Sequence, residues 1–109
     1  MKNKKIVSLI LIILAIILVL SLWRLPIFLI IGLLILAFLK HKFSPIKKEL
    51  TMFIVSAFVG SIGESLVMIG GPWSYASNQI LNFPIWLPFL WGLAGIIGIT
   101  IYQSITDKK

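Results

Sequence analysis

From Ile6 to Leu39 the chain runs for 34 residues in which the only charged side chain is Arg24 and the only proline is Pro26. One helix of this length would measure about 51 Å at 1.5 Å per residue, whereas the hydrocarbon core of a bilayer is roughly 30 Å thick. The chain must therefore turn back near Arg24, which needs water or headgroup phosphate, and Pro26 fits the first turn of a new helix. The pattern predicts two membrane spans, about 6–22 and 26–39, joined by a tight hairpin.

The second half of the chain predicts two more spans. A basic loop at 40–48 leads into a third span at about 50–69, which ends at the strong helix stop Gly70-Gly71-Pro72. A polar and aromatic outer loop, 70–84, precedes a fourth span at about 85–102. Prolines interrupt the start of that span, so residues 85–87 belong either to a kinked helix or to a short re-entrant piece.

The predicted fold class is all-α: a polytopic integral membrane protein with four transmembrane helices in two helical hairpins, forming one domain over residues 1–109. The distribution of the nine lysines predicts its orientation, because short loops rich in Lys and Arg stay on the cytoplasmic side during insertion. Both termini and the loop 40–48 are therefore expected in the cytoplasm, with Arg24 on the opposite side of a cell membrane. The lysines are Lys2, Lys4, Lys5, Lys40, Lys42, Lys47, Lys48, Lys108 and Lys109.

The composition excludes several classes of function. With 60% hydrophobic and 12% charged residues, the chain cannot supply the polar shell of a soluble domain. Its net charge of +7 flanks apolar segments, so the expected counter-charge is the bilayer's anionic headgroups, and no nucleic-acid partner is expected. No cysteine is present and His41 is the only histidine, so no metal site and no cofactor are expected.

Glu64 is the single acidic residue inside a predicted span, about 9 Å below the outer boundary at 1.5 Å per residue. An unpaired carboxylate at that depth costs a few kcal/mol on insertion scales, so the side chain must be protonated, paired or facing a wet cavity. Small residues at helical spacing, such as Gly60 and Ser61, mark a packed face, so Glu64 is expected to point into protein. Arg24 is the candidate partner, being the only base on the outer side.

The outer loop and the fourth span contain side chains that could surround this acid. They are Trp73, Tyr75, Asn78, Trp86 and Trp91. One interpretation is an outward-facing binding pocket with Glu64 and Arg24 at its floor and aromatic walls. The other is a structural ion pair, or a protonated glutamate bonded to serine, with the tryptophans forming an interfacial belt.

Glycines predict where the third and fourth spans pack together, because small residues let membrane helices approach closely. The predicted packing positions are Gly60, Gly63, Gly92, Gly95 and Gly98.

The first hypothesis for function is a binding or accessory subunit that associates with itself or with another membrane protein. The alternative is an oligomeric proton-coupled transporter that uses Glu64. A lipid-modifying enzyme with Glu64 as general acid is the weaker alternative, because no second catalytic group accompanies Glu64.

Overall fold

The computed structural model of the chain describes residues 4–71, 73–75 and 82–106. All four helices in these ranges are long and apolar enough to cross a membrane, which confirms an all-helical architecture of the multi-pass membrane type. The helices are α1 (Lys4–Leu22), α2 (Pro26–Phe43), α3 (Glu49–Ile69) and α4 (Leu87–Thr106).

A tight turn joins α1 and α2 at the place where the sequence predicted a hairpin. The helix α1 ends at Leu22, whose carbonyl accepts a 2.8 Å hydrogen bond from the Leu25 amide. Pro26 then starts α2. Its missing N–H costs nothing there, because the amides of a helix's first turn have no carbonyl partner within that helix.

The basic loop is shorter than predicted, because α2 continues to Phe43 and α3 begins at Glu49. Lys40, His41 and Lys42 lie in the last turn of α2, where cations interact favourably with the carbonyl end of a helix. The connecting loop is therefore 44–48 and not 40–48. Lys48 turns the chain with left-handed backbone angles (φ 54°, ψ 42°), an uncommon conformation for a residue with a β-carbon.

The fourth helix begins at Leu87, two residues later than predicted, and continues to Thr106. The Leu87 amide donates to the Pro84 carbonyl at 3.1 Å, and Pro88 occupies the first helical turn, where proline is tolerated. Phe83, Pro84, Trp86 and Leu87 are all buried. The entry to α4 is thus a turn packed on protein, not a kink within the helix.

The central helix of the bundle is α4, which packs against each of the other three helices. The hairpin α1–α2 lies against α4, and α3 packs against α4 while making at most isolated contacts with the hairpin. Residues of α4 therefore dominate the core, together with leucines of α2. The most deeply buried of these are Leu29, Leu33, Leu87, Leu93 and Ile96.

Close packing of α3 on α4 depends on three of the five predicted glycines. A β-carbon at residue 60 would lie 2.2 Å from the Trp91 ring, one at 92 would lie 2.7 Å from the Phe53 ring, and one at 95 would lie 2.0 Å from the Ser56 hydroxyl. The prediction is wrong for Gly63 and Gly98, where a β-carbon would meet no heavy atom within 4 Å. These two glycines lie on exposed surfaces of their helices because the contact between α3 and α4 follows the other three positions.

The bundle has two chemically distinct ends. We call the end that carries the amino end of α1, the carboxyl end of α2 and the amino end of α3 the basic end. We call the end that carries residues 23–25, the carboxyl end of α3 and the amino end of α4 the aromatic end.

Candidate functional site

The carboxylate of Glu64 accepts hydrogen bonds from three aromatic side chains. Trp73 Nε1 donates to Oε2 at 3.0 Å, the Tyr75 hydroxyl donates to the same oxygen at 2.5 Å, and Trp91 Nε1 donates to Oε1 at 2.7 Å. Four of the residues predicted from the sequence as candidate site residues therefore meet at one point. We call Glu64, Trp73, Tyr75 and Trp91 the carboxylate cluster.

The local sequence explains how these donors reach Glu64. Glu64 lies five residues before the end of α3, about 8 Å along the helix at 1.5 Å per residue. Gly71 has φ +91°, a conformation that favours glycine, and it lies two residues after the last residue of α3. At Gly71 the chain leaves the direction of α3, and Trp73 and Tyr75 follow within four residues.

Trp91 reaches the carboxylate from α4 because Gly60 leaves room for its indole. The indole fills the space that a side chain on residue 60 would need. A β-carbon there would lie 2.2 Å from Trp91 Cδ2 and 2.5 Å from Trp91 Cε3. Gly60 and Glu64 are one turn apart on α3, so the ring that lies over Gly60 presents its N–H to Glu64. The predicted packing glycine thus also positions a donor of the site.

The cluster supplies Glu64 with hydrogen-bond donors and with no cation. Both ion pairs in the described part of the chain involve Glu49, and neither involves Glu64. Hydrogen bonds from neutral donors stabilise a carboxylate in a membrane protein but contribute no positive charge. Trp73 and Trp91 are 46% and 37% exposed and Glu64 is half-buried, so the site is open to its surroundings and not an enclosed pocket.

Burial raises the pKa of the Tyr75 hydroxyl above its ordinary value, and the hydrogen bond to Glu64 adds to the rise. The phenol holds its proton more tightly because its phenolate would lose hydration and would face the carboxylate at short range. Tyr75 therefore acts as a hydrogen-bond donor to Glu64 over the whole physiological pH range.

The predicted partnership of Arg24 with Glu64 is wrong. The guanidinium of Arg24 lies 4.8 Å from the centre of the Trp23 ring, in a cation–π contact with its own neighbour. Its hairpin packs on α4, whereas Glu64 belongs to α3, which makes at most isolated contacts with that hairpin. The helix arrangement, and not the depth of the two side chains, separates them.

Trp86 supports the cluster without touching the carboxylate. Its ring meets the Tyr75 ring edge to face, with centroids 5.9 Å apart and planes at 88°. It is 4% exposed, and its indole nitrogen has no hydrogen-bond partner among the residues described. Trp86 therefore fixes Tyr75 by packing. Asn78, also predicted for the site, lies outside the described residues.

Asn82, which the sequence did not single out, ties the entry of α4 to α3. The Ser65 hydroxyl donates to Asn82 Oδ1 at 2.6 Å, and Asn82 Nδ2 donates back to the Ser65 carbonyl at 3.1 Å. This reciprocal pair lies one residue from Glu64 along α3. The only signal in the sequence was a polar side chain two residues before Pro84 in an otherwise apolar approach to the helix.

A second polar cluster, at the basic end, was missed by the sequence reasoning. Lys40 is 0% exposed and pairs with Glu49, and its Nζ also donates to the Ser44 carbonyl at 2.6 Å. His41 Nδ1 lies 2.7 Å from the other carboxylate oxygen of Glu49. The available signal was Glu49 itself, the one acid beside a run of bases.

The two polar clusters occupy opposite ends of α3 and differ in charge balance. Glu49 has a cationic partner, whereas Glu64 has three neutral donors. This difference makes Glu64 the stronger candidate for binding an external group. Comparison of the chain with protein-family models, with curated proteins and with solved structures gave no match.

Proposed function

We propose that this chain is a binding or accessory subunit in the membrane and that Glu64 binds the cationic group of its ligand. The observation that carries the proposal is the carboxylate held by three neutral donors, with no basic partner in the described part of the chain. An external cation would supply the ion-pair partner that Glu64 lacks among the described residues.

The aromatic residues favour a cation over other ligands. Indole and phenol rings carry negative charge on their faces and attract ammonium or guanidinium groups. Trp73 and Trp91 are partly exposed, so their rings can contact a ligand while their N–H groups stay on Glu64. In surroundings of low dielectric constant, the attraction between the carboxylate and a cation exceeds its value in water. An anionic ligand would be repelled.

The proposed orientation places the basic end in the cytoplasm and the carboxylate cluster on the outer side of the cell membrane. An even number of spans puts both termini on one side, and Lys42, Lys47 and Lys48 are exposed at the basic end. Short segments rich in lysine stay in the cytoplasm. The ligand would then reach Glu64 from the outer leaflet or from outside the cell.

A matched pair of probes tests the proposal. The cationic probe is dodecyltrimethylammonium, and the neutral probe is the same molecule with carbon in place of the nitrogen. Binding to the purified protein in mild detergent is measured by titration calorimetry and by quenching of tryptophan fluorescence. We expect the cationic probe to bind the wild type more tightly, and Glu64→Gln to weaken its binding by at least about tenfold, the effect of losing about 1.4 kcal/mol of ionic attraction.

Two tryptophan variants serve as controls for the contribution of the rings. Trp73→Phe keeps a ring but loses the N–H that holds Glu64, so it should weaken binding of the cationic probe. Trp23→Phe lies at the same end but contacts Arg24 and not Glu64, so it should leave binding unchanged. Equal affinity of the two probes, or full binding by Glu64→Gln, would contradict the proposal.

The oligomeric proton-coupled transporter remains the alternative, favoured by the position of Glu64 within a membrane-length helix. A transporter must release what Glu64 binds on the other side of the membrane, so it predicts flux of a cation across vesicles driven by a proton gradient. A binding subunit predicts saturable binding without flux. Reconstituted wild-type protein and Glu64→Gln compared in the same vesicles separate the two functions.

We also propose that the chain associates with itself or with another membrane protein. Gly63 on α3 and Gly98 on α4 are exposed and have no described neighbour within 4 Å of a β-carbon position. Small residues on outward surfaces permit close approach of another helix.

A further inference from the structure

A groove opens between α2 and α3 at the basic end, and we propose that it binds one acyl chain of an anionic phospholipid, with the phosphate at His41. The groove lies where α2 and α3 both pack on α4 while making at most isolated contacts with each other. Its volume is about 280 Å³, close to the lower limit of roughly 300 Å³ typical of small-molecule sites. It has room for one hydrocarbon chain.

The walls of the groove are apolar over most of its length. They come from α2 and α3, with a floor supplied by α4: Leu34, Ala37, Phe38, Leu50, Phe53 and Ile96. Such a lining matches a hydrocarbon chain and offers no hydrogen bond to a polar ligand.

Polar atoms are confined to one end of the groove, where His41 and Glu49 complete the lining. Lys40 pairs with Glu49 inside the protein, so the carboxylate does not present an uncompensated negative charge to a phosphate. The His41 side chain is 64% exposed, and its second ring nitrogen makes no hydrogen bond to a described residue. The groove therefore ends at a group that can bond to phosphate.

Two more basic residues are neighbours in the chain of the residues at this polar end. Lys42 follows His41 in the chain and Lys48 precedes Glu49, and both are exposed and form no ion pair with the described residues. Lysines near a membrane surface attract anionic headgroups. An apolar groove whose polar end adjoins exposed basic residues suits an anionic phospholipid: the groove takes the acyl chain, and the bases attract the headgroup.

A second groove in the same protein provides the comparison. It lies between α1 and α4, has a volume of about 270 Å³, and is lined only by apolar side chains such as Ile12, Leu90 and Ala94. A lipid chain can lie there too, but nothing in its lining selects a headgroup. Only the groove between α2 and α3 should distinguish anionic from zwitterionic lipids.

Electron paramagnetic resonance with spin-labelled lipids in reconstituted vesicles tests the proposal. Phosphatidylglycerol and phosphatidylcholine carry a nitroxide on the same acyl carbon, and the motionally restricted fraction of each is measured. We expect the wild type to prefer phosphatidylglycerol by about fivefold, the effect of one basic contact to an anionic headgroup. Excess inorganic phosphate should not remove the preference, because it has no acyl chain.

Two variants each replace an alanine with tryptophan and so fill one of the grooves. Ala37→Trp occupies the groove between α2 and α3 and should abolish the preference, whereas Ala94→Trp occupies the other groove and should retain it. His41→Gln leaves the packing unchanged and should reduce the preference without changing the restricted fraction of phosphatidylcholine. Equal effects of Ala37→Trp and Ala94→Trp, no preference in the wild type, or a second copy of the chain cross-linked across the groove would overturn the proposal. Binding of cations at Glu64 is an independent measurement and should be unaffected in Ala37→Trp.

Discussion

Adding one methyl group at residue 60 should break the carboxylate cluster. In Gly60→Ala the new β-carbon would lie 2.2 Å from Trp91 Cδ2 and 2.5 Å from both Cε3 and Cγ. All three atoms belong to a rigid indole, so the ring must move as a unit. Its Nε1 lies 2.7 Å from Glu64 Oε1, and a displacement that relieves the contact also lengthens or breaks this hydrogen bond.

The change in the free energy of unfolding follows from two destabilising contributions and one stabilising contribution. Overpacking costs about 1–3 kcal/mol, and loss of a hydrogen bond to a charged group costs about 1.5–3 kcal/mol. Alanine in a helix interior gains about 1 kcal/mol over glycine. Trp91 is 37% exposed and can move outward, which favours the lower part of the resulting range. We expect a loss of about 2 kcal/mol in the free energy of unfolding.

Gly63→Ala is the matched control. It lies on the same helix, three residues away, and its β-carbon would meet no heavy atom within 4 Å. It should therefore leave stability unchanged or raise it by up to about 1 kcal/mol. Both variants gain the same helix propensity of alanine over glycine, so the difference between their free energies of unfolding measures the effect of the contact with Trp91.

Unfolding in detergent micelles, followed by circular dichroism and tryptophan emission, measures both variants. A background with Trp91→Ala removes the ring, and the cost of Gly60→Ala should disappear there because nothing remains to be displaced. If Gly60→Ala proves as stable as Gly63→Ala, or if its cost persists without the indole, the proposed role of Gly60 is wrong.

Two further predictions concern charge. Glu49→Gln should destabilise the protein by about 3–5 kcal/mol because it leaves the buried Lys40 charge without a partner. Replacing both residues, with Lys40→Met and Glu49→Leu, should destabilise it much less. Unfolding in detergent measures the free energy of unfolding of each variant, and additive losses would exclude coupling between the two residues. The pKa of Tyr75 is raised in the folded protein, so stability should be fully present below the unfolded value of about 10 and should fall as the pH rises through and above it. The Tyr75→Phe variant should lose this alkaline decline, and an identical decline in both proteins would assign it to another group.

The number and placement of the helices could be predicted because each depends on local composition. A run of apolar residues between Lys5 and Lys40 exceeds what one membrane crossing accommodates, and Pro26 occupies the only position where a second helix can begin. Helix ends were less predictable. The carboxyl end of α2 extends through Lys40 and His41 because a carboxylate from another helix stabilises these side chains there, and hydropathy contains no information about that contact.

The membership of the carboxylate cluster was largely predictable, but its internal pairing was not. Glu64 had to find polar partners, and Trp73, Tyr75 and Trp91 were the donors near the same boundary. Arg24 was also predicted to lie near that boundary, yet α3 packs on α4 and makes at most isolated contacts with the hairpin that carries Arg24. Gly60 and Gly63 were indistinguishable by residue type, and only one of them contacts a neighbouring helix.

The amino-acid sequence alone determined the four membrane-length helices of the described residues, because burial of apolar segments in lipid is a property of each segment and depends on no other. Tertiary structure decided which helix lies at the centre, that Lys40 is buried against Glu49, and that Glu64 is held by aromatic donors instead of Arg24. Lipid is as apolar as the helices, so hydropathy does not choose their neighbours. Close packing and hydrogen bonds between particular side chains make that choice.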